Sequence, residues 1–126
     1  MNAIAQVRQD GGRPVDNELL DPMVISELSA VIPSERLIIF SEALRAGCHE
    51  AITELRATTT CFDQTAAIAH RLKGMVGNLG LGKLTEIAVN LETSETWSPE
   101  ARSTAITEFE DRIEPSLAAF RFAIAK

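Results

Sequence analysis

Two histidines are present, His49 and His70, and only one has surroundings suited to chemistry. Wind the segment around Leu72 as a helix, with Leu72 at the centre of the buried face and about 100° per residue. Ile68, Met75, Val76 and Leu79 then cluster around it, and His70 falls on the opposite, solvent side. Gly74 lies one turn further along that side with Gly77 beside it, Ala66 and Ala67 lie one turn back, and Lys73 borders the strip. Each mid-helix glycine costs about 1 kcal/mol relative to alanine, so two within four residues need a reason. Access supplies one: bare backbone around an imidazole lets another surface approach it closely. A neutral imidazole carries a free ring nitrogen and is a good nucleophile near neutral pH. A cation at Lys73 favours that neutral form and would stabilise a dianionic group carried on the ring. Close helix packing is the competing explanation for the glycines, and it suffers because both project away from the apolar stripe. His49, between Cys48 and Glu50, has no cleared surroundings and is read as a solvated surface residue.

The elements that must hold this strip read as helices. Asp21-Pro22 places a capping carboxylate before a proline at a first helical position, opening a short helix with Val24, Leu28 and Val31 on one side. Pro33 breaks it, and Ser34 starts a longer helix striped by Leu37, Phe40, Leu44, Cys48, Ala51 and Leu55. Asp63 is the expected N-cap of the helix that carries His70, with Gly80 and Gly82 as its stop. A fourth helix carries Leu84, Ile87, Ala88 and Leu91. Ser98-Pro99-Glu100 opens a fifth, striped by Ile106, Phe109, Ile113, Leu117, Phe120 and Ile124, in which Pro115 predicts a kink or a division into two shorter helices. No period-two strand pattern appears. The expected fold is all-α: an up-and-down four-helix bundle over residues 17–126, with an additional short N-terminal helix, behind a polar tail at residues 1–16.

Composition sets the outer limits. The chain has 126 residues, 45% hydrophobic and 24% charged, which suits one domain with one core. Its net charge of −6 makes it a poor ligand for phosphate backbones, so no nucleic-acid partner is expected. No apolar run approaches the roughly 20 residues that cross a bilayer, and the N-terminus lacks a secretory pattern, so a cytoplasmic protein without membrane attachment is expected. Cys48 and Cys61 form no CxxC motif, which gives no disulfide scaffold and no zinc site. No glycine-rich nucleotide loop is present, and no metal-binding pair joins the two histidines.

The run His70-Arg71-Leu72-Lys73-Gly74-Met75-Val76-Gly77-Asn78-Leu79-Gly80, preceded by Ala69, resembles the signature of histidine-containing phosphotransfer (HPt) domains. The downstream run from Leu84 to Leu91-Glu92 is similar to that family's leucine-rich helix, and Met75 departs from a position where the family often has serine. The resemblance implies a phosphocarrier without autokinase activity. It implies His70 as phosphoryl acceptor at Nε2, Lys73 as phosphoryl-stabilising residue, and Gly74 and Gly77 as the residues that keep the ring accessible. The aspartate of a response-regulator receiver domain, or of a hybrid histidine kinase, would be the exchange partner. Arg71, Asn78, Ala66 and Ala67 would flank the contact. The chain would bind no cofactor itself, Mg²⁺ being supplied by the receiver, and would act as a monomeric, separate relay protein. The alternative is a helical adaptor that binds a receiver or kinase domain without being phosphorylated.

Overall fold

The computed structural model describes residues 19–125; the tail expected over residues 1–16 lies outside them. Five helices follow one another: α1 Pro22–Val31, α2 Ser34–Arg56, α3 Phe62–Asn78, α4 Gly82–Glu92 and α5 Pro99–Ile124. Helices α2 to α5 form a ring in which each packs on the next and α5 closes onto α2. Neighbours run antiparallel. Arg56 pairs with Glu110 while Ser34 Oγ donates to the Ile124 carbonyl at the other end. Arg71 meets Glu54, whereas Met75 lies against Gly47. The architecture is therefore the all-α, up-and-down bundle expected, with the short helix packed against it. No helix among the described residues is long and apolar enough to cross a membrane.

The stripes read from the sequence form the core. Leu72, Val76, Leu84, Leu91, Ile106, Phe109, Ile113, Leu117 and Phe120 are all essentially inaccessible. Two expected caps are present. Asp21 accepts from the Met23 and Val24 amides, and Ser98 accepts from Ala101 N–H at 3.0 Å.

Four local expectations are corrected. Phe40 is not in the buried stripe of α2: it is exposed, and Ser41 is buried in its place, its hydroxyl donating to the Ile38 carbonyl at 2.7 Å. The run Leu37-Ile38-Ile39-Phe40 is apolar in every direction, so its periodicity could not fix which way the helix turned. Val31 is likewise exposed, because α1 docks through Ile25, with Val24 and Leu28 half-buried. Asp63 does not cap α3, which starts one residue earlier with Cys61 as its N-cap; Asp63 instead places a carboxylate in the first turn. Finally, of the kink or division expected at Pro115, the division into two shorter helices does not occur: α5 runs as one helix through it. The ring removes the hydrogen bond to the Asp111 carbonyl, but both residues are exposed, so water can satisfy that oxygen.

Arg102 closes one end of the bundle. It is buried, and its guanidinium donates to the carbonyls of Thr59, Ser94 and Glu95 and to the Ser94 hydroxyl, at 2.8–3.2 Å. It also lies 5.5 Å from the centre of the Phe62 ring. Those carbonyls follow the C-termini of α2 and α4, the negative ends of two helix dipoles, so one cation satisfies both. Arg102→Met should remove the charge and strand several buried carbonyls, costing about 3 kcal/mol. A thermal melt should show it as a loss of about 10 °C. Arg102→Lys should recover only part of this, because one ammonium cannot span both loops.

Candidate functional site

The site is built on the α3–α4 hairpin. Helix α3 ends in a left-handed residue, Gly80, at φ +73°. Leu81 N–H bonds back to the Val76 carbonyl at 3.1 Å and Gly80 N–H to that of Gly77 at 3.0 Å. This is the paired closure of a Schellman motif, with Val76 and Leu81 supplying its buried apolar contact. A side chain at Gly80 would also press on Val24 and Ile25 at 3.1 Å, so the turn admits glycine for two reasons. Gly82 does not extend the stop, as the sequence suggested, but is the first residue of α4. The tight turn sends α4 back along α3, and Leu84, Ile87, Ala88 and Leu91 fix its rotation.

That return places Glu92, the last residue of α4, beside His70 and Lys73. Glu92 Oε2 lies 2.7 Å from His70 Nδ1, and Oε1 lies 2.9 Å from Lys73 Nζ. His70 is open to solvent, with 69% of its side chain exposed, whereas Glu92 is mostly covered. The lysine, then the histidine, hold the Glu92 carboxyl below its ordinary range, so it is ionised near neutral pH. An ionised carboxylate only accepts, so Nδ1 carries the hydrogen. In the neutral ring Nε2 is then left with a bare lone pair facing water. Glu92 at a helix C-terminus opposes the helix dipole, and the two donors offset that.

The residues singled out in the sequence fall into three settings. Gly74 is exposed, and a Cβ there would meet nothing within 4 Å. Gly77 is half-buried and faces α4 instead: a Cβ there would touch the Thr85 side chain at 3.7 Å. The two glycines therefore do different work, one leaving the surface bare and the other letting α4 approach. Lys73 is turned to Glu92 and neutralises that carboxylate, where a direct effect on the ring was expected. Arg71 points to α2 and pairs with Glu54 at 3.0 Å. Asn78 and Ala67 are exposed beside it, and Ala66 is half-buried. Met75 is half-buried, its methyl filling the space a side chain at Gly47 would need. His49 lies on another face, 3.9 Å from Glu114. Sequence reasoning missed Glu92 as a functional residue, although an acid at the C-terminal end of a helix, where it opposes the dipole, was a signal. Among the described residues no group of three or more His, Cys, Asp or Glu side chains could hold a metal ion.

The family model described as Hpt domain matches residues 35–119, which contain the whole of this hairpin. No curated protein matches the chain, and no solved structure does.

Gly74→Ala should melt at or above the parent temperature, gaining up to about 1 kcal/mol from helix propensity. Gly77→Leu should lose about 1–3 kcal/mol by wedging α4 from α3. Equal melting temperatures for the two variants would contradict the different settings described. Acid stability carries a second signature. The Glu92 value in the fold lies below the ordinary 4.5, so its contribution is complete above that value and is lost as pH falls through the lowered one. Glu92→Gln should therefore flatten the acid limb of a stability–pH profile below about pH 4.5.

Proposed function

Because the chain belongs to the Hpt domain family, whose members are phosphocarriers of two-component signalling, we propose that it is a phosphorelay intermediate loaded on His70. The observation that carries this reading is the His70–Glu92 contact: an ionised Glu92 takes its hydrogen bond from Nδ1–H, so the Nε2 lone pair of the solvent-open ring is the candidate nucleophile. The partner is the phosphorylated aspartate of a receiver domain, free or within a hybrid kinase. The Nε2 lone pair forms the N–P bond as the P–O bond to the aspartate breaks, and that electron pair leaves with the carboxylate. No proton moves: Nδ1 keeps its hydrogen, the ring takes up positive charge, and the Glu92 carboxylate faces that charge. Lys73 stabilises the phosphoryl oxygens, and Gly74 lets the receiver's surface close on the ring. Arg71, Asn78, Ala66, Ala67 and Gly77 border the same face. The receiver brings its own Mg²⁺, and the chain works as a monomer in the cytoplasm.

The test is incubation with a receiver domain phosphorylated by acetyl phosphate. The expected product is acid-labile, base-stable label on this chain, abolished by His70→Gln and retained by His49→Gln. Gly74→Glu should remain folded and lose nearly all transfer, through bulk and charge one turn from the ring. Label that persists in the His70 variant would overturn the assignment. A chain that binds receivers and never takes up label would be the non-phosphorylated adaptor.

A further inference from the structure

Glu92 holds two donors with two separate oxygens, and loading His70 changes the charge of one of them, the ring. In the free site the carboxylate is compensated by Lys73 at 2.9 Å and accepts from Nδ1 at 2.7 Å. Glu92 lies at the Nδ1 edge of the imidazole, whereas a phosphoryl group on Nε2 lies at the opposite edge. An ammonium that moves toward one edge leaves the other. Once the N–P bond has formed, the ring is positive and can compensate Glu92 by itself through the same Nδ1–H contact. Lys73 is then the cation to spare for the phosphoryl dianion. Its stem is long and partly exposed, so it has the freedom to swing. Among the described residues, the neighbouring cations have partners of their own. Arg71 is engaged by Glu54 on the α2 side, and Lys83 lies near Glu86 and Glu108 further along α4.

We propose that Glu92 tunes the equilibrium of phosphoryl exchange by restraining Lys73, so that loading His70 opens the Lys73–Glu92 pair and unloading restores it. This rests on the reading of His70 as acceptor. The restraint subtracts from the stabilisation Lys73 gives the loaded state, and so favours release of the phosphoryl group to the receiver. Glu92 is a positioning residue in this scheme, acting on the phosphoryl group through Lys73.

The measurement is the equilibrium ratio of phosphohistidine to phosphoaspartate. The full chain is mixed with a receiver domain loaded by acetyl phosphate, for the parent, Glu92→Gln, Lys73→Met and the double variant. Glutamine keeps an acceptor for Nδ1–H and removes the charge that holds Lys73. Its own effects on ring charge and on repulsion of the phosphoryl group appear equally with and without Lys73, so the double-mutant comparison cancels them. The effect of Glu92→Gln should favour phosphohistidine by about fivefold more with Lys73 present than with Lys73→Met. An equal effect in both backgrounds overturns the proposal. So does a smaller effect with Lys73 present, which would mean that the ammonium bridges both anions. Absence of label on the parent His70 would instead overturn the phosphotransfer reading itself.

Discussion

The closure of α3 at Gly80 is the constraint on which the site depends. A left-handed residue there reverses the chain within three residues and sends α4 antiparallel along α3. Residues far apart in sequence, His70 and Glu92, then meet at 2.7 Å. A longer or looser turn would leave the same two helices but lose the register. Gly77 completes the arrangement, because its missing side chain lets Thr85 and the rest of α4 come close. The hairpin is packed tightly on its inner side so that its outer side can present a histidine at a fixed angle.

The site divides its burial unevenly. Glu92 is mostly covered, Lys73 partly so, and His70 stands in solvent. A covered carboxylate between two donors keeps its charge and its position, and an exposed ring keeps its reach. Rigidity therefore resides in the carboxylate, and accessibility in the imidazole. The open space over Gly74 extends that accessibility along the helix at a cost in helix propensity of about 1 kcal/mol. A second device acts at the end of the bundle where α2 and α4 terminate. There Arg102 joins two loops through their carbonyls.

Much of this was legible in the residues. Helix number, the glycine stop at position 80, the Asp21 and Ser98 caps and the apolar stripes of α4 and α5 followed from local rules, because each depends on residues within one or two turns. The outward placement of His70 and Gly74 followed from the same periodicity. The errors have separate causes. Phe40 and Val31 sit in stretches apolar on several sides, where a helical period has no phase to report. Pro115 was read as a kink or a division because its ring deletes a hydrogen bond; the affected carbonyl is exposed to water, and the helix runs through undivided. Arg102 gave a faint signal, a cation in the first turn of a helix against its dipole.

By itself the sequence determined which residues could react: an imidazole on a solvent face, a lysine one turn on and bare backbone beside them. Helical periodicity is a short-range property, and it places side chains on a face without reference to any other element. Only the tertiary structure decided what those residues touch. It turned Lys73 to a carboxylate rather than to the ring, set Gly77 against α4 and Gly74 in open space, and brought in Glu92 from the far end of the next helix. Those outcomes depend on the register between α3 and α4, which is set by a turn and a buried leucine stripe acting together, and register cannot be read from either helix alone.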